Sequence, residues 1–174
     1  MRGEAAQFRG VVERHQRMVF SLALRVTGEY GTAEEVAQDV FLELFRSAER
    51  LAGEDHVRFW LRKVTVHRAT DALRRQARRP EARAEEWMDE DAAPGEGDGA
   101  AGVGTVLEAR LEELLGSLPE SMRVAVVLRY QEEMLPEEIA TLLGQPVATV
   151  KSNLQRGLKL LRRKAEITMK EYVR

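Results

Sequence analysis

The stretch that decides the fold of the C-terminal half is PEEIATLLGQPVATVKSNLQRGLKLLRR, Pro136 to Arg163. Apolar residues recur at helical spacing on both sides of Gly144, which predicts two helices joined by a tight turn. Glycine adopts the positive φ that such a turn needs, and Pro146 suits the start of the next helix. We expect Pro136 alone to start the first helix, because the preceding Leu135 cannot cap it. The stretch is typical of a helix-turn-helix.

The second of these helices has an apolar face and a basic face. Its apolar positions predict a buried stripe and are Val150, Leu154, Leu158 and Leu161. The other face carries amides and cations, which can contact base edges and phosphates from within the major groove. The residues predicted to bind duplex DNA are Lys151, Ser152, Gln155, Arg156 and Lys159. The alternative is that this face is only solvated.

The composition limits the possible classes of protein. A chain of 174 residues with 44% apolar content can form one ordinary domain or two small ones. With no cysteine and three histidines, we expect no disulfide, no metal site and no cofactor. No apolar run approaches the roughly 20 residues that span a bilayer, and the N-terminus lacks the apolar core of a signal peptide. We therefore expect a cytoplasmic protein without membrane insertion.

The net charge of −2 conceals an uneven distribution of charge. Residues 1–79 carry 15 basic and 11 acidic side chains, residues 80–104 carry 1 and 8, and residues 105–174 carry 11 and 10. The middle segment is rich in glycine, alanine, proline and acids, so it has too little apolar surface to offset the entropy of ordering. We predict a flexible acidic linker at 80–104 between helical domains at 1–79 and 105–174.

Two helices are predicted at the start of the first domain. The first runs from Val11 to Val26 and ends near Gly28. The second opens at Thr32, where Thr-Ala-Glu-Glu matches a capping box, and continues to about Ser47. Its predicted apolar face consists of Val36, Val40, Phe41, Leu44 and Phe45.

A third helix, predicted from about Val57 to Ala77, is strongly basic. Residues 57–79 contain eight basic side chains against one acid, Asp71. This ratio favours contact with phosphates over a helix end that is merely solubilised by its arginines. Two locations are open for Phe59 and Trp60: the core, or a position where they can stack on unpaired bases. For Trp60 the core is the commoner location.

Four helices are predicted in the second domain, which includes the helix-turn-helix. The first is marked by leucines at 107, 111, 114 and 115. The sequence Ser-Leu-Pro-Glu, Ser117 to Glu120, matches another capping box and predicts the start of the next helix. The last helix is predicted to continue to about Tyr172. Because only about ten residues follow the basic run, we expect no added C-terminal regulatory domain.

Three blocks of this sequence, in their order and spacing, resemble a bacterial sigma factor. They are AEEVAQDVFLELF at 33–45, FWLRKVTVHRATDALRR at 59–75, and LPESMRVAVVLRYQEEMLPEEIATLLGQPVATVKSNLQRGLKLLRR at 118–163. The minimal two-domain subgroup of the sigma-70 family, the extracytoplasmic-function (ECF) sigma factors, is the most similar. The resemblance implies a transcription initiation factor that is not an enzyme, binds core RNA polymerase and directs it to promoters.

The resemblance also implies residue roles. The second domain would bind the minus-35 element through the basic face of its recognition helix. The first domain would open and bind the minus-10 element, using the loop at 51–56 and the third helix. His67 stands where family members often have Asn. The implied minus-10 residues are Phe59, Arg62, Lys63, His67, Arg68, Asp71, Arg74, Arg75 and Arg78.

Protein partners follow from the same resemblance. The helix at 34–45 resembles the surface that docks on the clamp helices of the polymerase β′ subunit, with Glu35, Gln38 and Asp39 as the implied polar contacts. The resemblance also implies contact with the β subunit and an anti-sigma factor.

Two other functions remain open from the residues alone. A stand-alone helix-turn-helix regulator would bind a duplex site without polymerase, but it does not explain the basic third helix. A helical, metal-dependent nucleotide hydrolase with a DNA-binding tail would use Glu34, Glu35, Asp39 and Glu43 as metal ligands. His15 and His56 are expected to be ordinary surface residues.

Overall fold

The computed structural model describes residues 2–47, 52–78 and 103–172, and within them it contains seven helices and no strand. This confirms the all-α prediction. The predicted linker lies outside the described residues, except that positions 103 and 104 already belong to a helix. The helices are α1 (Arg2–Thr27), α2 (Tyr30–Ser47), α3 (Glu54–Ala77), α4 (Val103–Gly116), α5 (Glu120–Tyr130), α6 (Pro136–Leu143) and α7 (Val147–Tyr172).

Helices α1, α2 and α3 pack against one another and form what we call the first domain. Its core contains Leu22, Val40 and Leu61, which are all fully buried. Burial of one such side chain stabilises the fold by about 1.5–3 kcal/mol. Helix α1 ends at Thr27, as predicted, because Gly28 has a φ of 74° and its N–H donates to the carbonyl of Leu24 at 2.7 Å.

The predicted start of α2 is wrong. The helix begins at Tyr30, and the Thr32 hydroxyl donates to the carboxylate of Glu29 instead of capping the helix. The Glu29 carbonyl accepts from the N–H of Ala33 at 3.0 Å, as it would in the first helical turn. Gln76 donates from Nε2 to Glu29 Oε2 at 3.2 Å and to Thr32 Oγ1 at 2.9 Å, so the end of α3 is tied to the start of α2.

Helices α4 to α7 form the second domain, in which α5, α6 and α7 pack together. Ile139, Leu142 and Val150 lie in its core. At Gly157, in the middle of α7, a Cβ atom would lie 3.0 Å from Val126 Cγ2 and 3.4 Å from Met122 Cβ. The glycine therefore permits a close approach of α5 and α7, which the sequence did not predict.

The second predicted capping box is also wrong. Ser117 extends the last turn of α4, where its N–H donates to the Glu113 carbonyl at 3.1 Å and its hydroxyl donates to the Leu114 carbonyl at 2.6 Å. Helix α5 starts after Pro119 without a side-chain cap. In both cases the hydroxyl donates to a nearby oxygen, and no hydrogen bond to it from the expected amide is recorded, so the pattern of four residues did not decide the cap.

His15 is not a surface residue, contrary to the prediction. It is only 3% exposed, and its Nε2 lies 2.6 Å from Oε1 of Glu54, at the start of α3. The two atoms are close enough for an ion pair across the α1–α3 packing, but Nε2 makes no hydrogen bond of acceptable geometry within the described residues. His56 is exposed, as predicted, and its Nδ1 accepts from the N–H of Ala52 at 3.4 Å.

Candidate nucleic-acid interface

The helix-turn-helix is built by α6, a glycine turn and α7. Gly144 lies in the left-handed region with a φ of 63°, and the next N–H, of Gln145, donates to the Ala140 carbonyl at 3.0 Å. Pro136 does not start α6 alone, because the Glu138 carboxylate accepts from the N–H of Leu135 at 2.7 Å. This is the carboxylate half of a capping box, and it fixes the direction in which the chain enters α6.

The two faces of α7 match the prediction. Val150 and Leu154 are buried, and Leu158 and Leu161 are partly buried. The exposed residues include Lys151, Gln155, Arg156 and Lys159, with Ser152 partly buried beside them. Their binding to DNA stays a prediction, but the fold presents them together on one side of the helix.

One ion pair reaches this face from the preceding helix. Lys151 Nζ lies 3.6 Å from Oε1 of Glu137 in α6, and both side chains are well exposed. Such a pair is worth little in water, so Lys151 remains free to exchange its carboxylate for a phosphate. Arg156 donates only to its own helix, at 3.4 Å to the Ser152 carbonyl and 3.5 Å to Asn153 Oδ1.

Helix α3 presents a second polar stripe. Residues spaced four, four, three and four apart share one side of a helix, and here all five are exposed: Lys63, His67, Asp71, Arg74 and Arg78. Phe59 and Trp60 are partly buried and pack against the core, which fits the core interpretation of Trp60 better than free stacking. The predicted minus-10 residue Arg75 is also exposed.

Three of the predicted minus-10 arginines are paired with acids. Arg62 is only 19% exposed, and its Nε lies 2.9 Å from Oε2 of Glu132, beyond the end of α5. Arg74 Nη2 lies 2.9 Å from Oε1 of Glu120. Arg68 turns to α2 instead, with Nη2 at 2.6 Å from Oε2 of Glu43.

The Arg68 pair links the basic helix to the predicted docking helix. Its Nη1 also lies 3.9 Å from Oδ2 of Asp39, one of the residues predicted to contact polymerase. The hydrogen bond to Glu43 raises the pKa of the Arg68 guanidinium, while burial acts in the opposite direction. Arg68 therefore holds α2 and α3 together in addition to any role toward DNA.

Helix α2 exposes both polar and apolar side chains. Glu35, Gln38 and Asp39 are exposed as predicted. Phe45 was placed on the apolar core face, which is wrong: it is 62% exposed and only its edge meets Phe8. Leu42, which the sequence analysis missed, is 54% exposed. A surface of this mixed character suits a protein partner.

The spacing of the exposed α2 residues could have revealed Leu42. Positions 35, 38, 42 and 45 are three, four and three residues apart, which is the spacing of a single helical face. Phe45 had been grouped with the apolar face of Val36, Val40, Phe41 and Leu44. Its helical phase places it with the acids instead.

No group of three or more His, Cys, Asp or Glu residues within the described ranges is arranged to hold a metal ion. In the same part of the chain, none of the helices is both long and apolar enough to cross a membrane.

Comparison with known proteins places both domains in one family. The family model described as Sigma-70 region 2 matches residues 11–79, and the one described as Sigma-70, region 4 matches residues 108–161. RNA polymerase sigma-H factor of Pseudomonas aeruginosa is 28% identical over 179 residues, covering 98% of this chain and 92% of that protein. ECF RNA polymerase sigma factor SigE of Mycolicibacterium smegmatis is 34% identical over 155 residues, covering 87% of this chain and 59% of that protein.

The fold is also found in a solved structure. A solved structure of the sigma factor RpoE in complex with the anti-sigma factor NepR from Bartonella quintana superimposes with a TM-score of 0.71 at 15% identity, covering 92% of this chain and 98% of that chain. Both family models match in the order and spacing that the three sequence blocks indicated. The chain belongs to the extracytoplasmic-function subgroup of the sigma-70 family of RNA polymerase sigma factors.

Proposed function

We propose that this sigma factor holds a promoter at two points, with α7 on the minus-35 element and α3 on the minus-10 element, while α2 docks on core polymerase. The observation that carries the proposal is the presence of these three surfaces on three different helices. Polymerase supplies the catalysis, and the sigma factor supplies promoter choice and strand opening. The first domain corresponds to residues 1–79, and the second begins with α4 at Val103.

For the minus-35 element, support comes from the exposed face of α7. Gln155 and Arg156 lie near the middle of the exposed surface and carry donors suited to base edges. Lys151 and Lys159, about one turn to either side, suit phosphates. The glycine turn at Gly144 sets the angle between α6 and α7, so α6 can cross the backbone while α7 lies in the major groove.

For the minus-10 element, support comes from the exposed stripe of α3. A basic track can follow the phosphates of a displaced strand, and a partly buried aromatic such as Phe59 can receive a base that leaves the stack. His67 can stack on a base or donate to it, and Asp71 can accept from exocyclic amino groups. Arg75 and Arg78 extend the track toward the end of the helix.

For polymerase, support comes from α2. Glu35, Gln38 and Asp39 offer polar contacts, and Leu42 and Phe45 add exposed apolar area on the same face. An apolar centre with a polar rim is the usual composition of a protein interface. We assign this surface to the clamp helices of the β′ subunit and expect the second domain to contact the β subunit.

We further propose an anti-sigma factor as a regulatory partner. The similar RpoE structure contains one, NepR. Charged DNA-binding faces and an exposed docking face on one chain offer large surfaces that a partner can cover.

The decisive experiment is reconstitution of transcription. The purified chain is added to core polymerase, and promoter-specific transcripts are measured on candidate promoters. We expect specific initiation only with both components. Tight binding of the chain alone to a duplex site, without any specific transcript, would favour the stand-alone regulator and contradict the proposal.

A residue-level test uses Arg156→Ala. Loss of a base contact costs about 1–3 kcal/mol, so binding to the minus-35 element should weaken by about 5- to 150-fold while binding to core polymerase is unchanged. The matched control is Lys170→Ala, which removes the same charge from an exposed position near the other end of α7. An equal effect of both substitutions on DNA would mean that only net charge matters.

A further inference from the structure

His15 is a buried polar residue that the proposed contacts with DNA and polymerase do not use. It lies on α1 and is only 3% exposed. Its Nε2 is shielded from water and makes no hydrogen bond within the described residues. A polar atom buried in this way costs free energy that an apolar side chain of similar size would not cost. The surroundings of this nitrogen therefore indicate what the imidazole does.

The nitrogen lies against a carboxylate of the neighbouring helix. Nε2 is 2.6 Å from Oε1 of Glu54, which is the first residue of α3. The other oxygen of this carboxylate, Oε2, is 3.7 Å from Nη2 of Arg14, and both of these side chains are at least half exposed. An exposed pair is worth little in water, whereas one partner of the His15 pair is shielded from water. His15 therefore provides the stronger hold on Glu54.

The backbone at the start of α3 is weakly fixed by its own local contacts. Gly53 has a φ of 86° and a ψ of 157°, a region that is essentially restricted to glycine, and no side chain caps the helix. The N–H of Ala52 donates to Nδ1 of His56 at 3.4 Å, which is long for such a bond. The direction in which the chain enters α3 therefore depends on what holds the side chain of Glu54.

The rest of α3 is held independently of this contact. Leu61, Thr65 and Ala69 are fully buried, and the helix packs on both α1 and α2. A change at His15 should therefore displace only residues 52–56, which we call the entry segment of α3. The last three residues of this segment form the first turn of the helix that the proposed function assigns to the minus-10 element.

We propose that His15 is a positioning residue for minus-10 recognition: acting through Glu54, its imidazole holds the entry segment in the shape that receives an unpaired base. The inference rests on the proposed assignment of α3 and its preceding loop to the minus-10 strand. A base that leaves the stack needs a pocket whose walls are already in place, because ordering a mobile wall reduces the affinity. His15 thus affects base discrimination from a buried position, without touching DNA.

The test measures binding of a fluorescent single-stranded oligonucleotide by holoenzyme, formed from core polymerase and the full chain. The oligonucleotide carries the minus-10 element of a promoter on which the unsubstituted chain directs specific transcription. Each nucleotide of the element is replaced in turn by an abasic nucleotide, and the affinity is measured by fluorescence anisotropy. Loss of a base that stacks in a pocket should weaken binding by about tenfold, so the scan identifies the positions that are bound in this way.

The variants are His15→Leu, Glu54→Ala and the two combined. At one position of the element, we expect both single variants to reduce the abasic effect from about tenfold to about twofold, while other positions keep theirs. The double variant should reduce it no further, because both substitutions act on one contact. The matched control is Glu13→Ala, which removes an exposed acid from α1 two residues from His15 and should leave the whole scan unchanged.

A general loss of structure would give a different result from a loss of positioning. It would weaken binding of every oligonucleotide alike, whereas loss of positioning changes the effect of one base. Helix content by circular dichroism shows whether each variant is folded. Glu54 is half exposed, so Glu54→Ala decides the matter even if the substitution at buried His15 unfolds the first domain.

Three results would overturn the inference: a scan that Glu54→Ala leaves unchanged, an equal change at every position, or a double variant whose effect is the product of the single effects. Transcription separates this failure from failure of the proposed function. If the unsubstituted holoenzyme initiates specifically but its abasic effects persist in the variants, the function stands and the positioning role is wrong. If it gives no specific transcript, or no abasic replacement weakens its binding, the assignment to the minus-10 strand is itself wrong.

Discussion

The two basic helices, α3 and α7, differ in what their cations contact. On α7, the exposed cations contact their own helix or one exposed carboxylate. On α3, Arg68 and Arg74 each pair with an acid on another helix, and Arg62 pairs with Glu132, just beyond the end of α5. Under the proposed function, α7 can bind DNA directly, whereas three arginines of α3 must first exchange carboxylates for phosphates. The number of basic residues on a helix therefore does not give the number that are free to bind phosphate.

The packing beneath the two helices differs as well. Helix α3 is anchored by side chains such as Leu61, which is fully buried among α1 and α2. Helix α7 is anchored in part by the lack of a side chain at Gly157, which lets α5 approach. A large buried residue and a glycine thus both anchor a helix: removing side-chain atoms destabilises the first site, and adding a side chain destabilises the second.

The largest expected effect tests the anchor of α3. Leu61→Ala removes a fully buried side chain and should lower the free energy of unfolding of the first domain by about 2–5 kcal/mol. Leu42→Ala, at an exposed position of α2, should change it by less than about 0.5 kcal/mol. Denaturant unfolding followed by circular dichroism measures both. Similar losses would mean that Leu61 does not anchor α3.

The next-largest effect tests whether the cations on each helix are free to bind phosphate. Lys159→Ala should lower the slope of log affinity for non-specific duplex against log salt concentration by about one unit, because one phosphate contact is lost. Arg68→Ala should leave the slope unchanged in the chain alone, since Glu43 and Asp39 already compensate its charge. Fluorescence anisotropy over a salt series measures the slopes. A decrease for Arg68→Ala equal to that for Lys159→Ala would remove the distinction between the two helices.

The smallest effect tests the glycine in α7. Gly157→Ala gains about 1 kcal/mol of helix propensity but forces a contact at 3.0 Å with Val126, so the second domain should lose about 1 kcal/mol overall. The matched control is Gly10→Ala in α1, where a Cβ would meet only the end of the Arg14 side chain at 3.6 Å. This variant should gain about 0.5–1 kcal/mol. Thermal unfolding distinguishes the two signs, and stabilisation by both would rule out the close approach.

The sequence predicted helices better than it predicted their ends. The end of α1 at Gly28, the turn at Gly144 and the end of α7 at Tyr172 were all predicted, because glycine punctuation and apolar spacing are local properties. The starts at Thr32 and Ser117 were wrong, because each hydroxyl bonds to an acceptor that the pattern does not include.

Only part of the candidate site was predicted from the sequence. Exposure of Lys151, Gln155 and Arg156 followed from helical phase alone. The burial of His15 and the exposure of Phe45 did not, because each depends on a neighbouring helix. The partners of the α3 arginines could not be predicted, since no local pattern joins positions that far apart.

The sequence by itself determined the all-α class, the helix-turn-helix and the position of the basic faces, because these depend on spacing within one helix. Tertiary structure decided which of those charges are free. Arg62 and Glu132 are 70 residues apart in sequence, yet 2.9 Å separates their charged atoms. Only the packing of the second domain on the first brings them together, because an ion pair depends on distance in space and carries no sequence period.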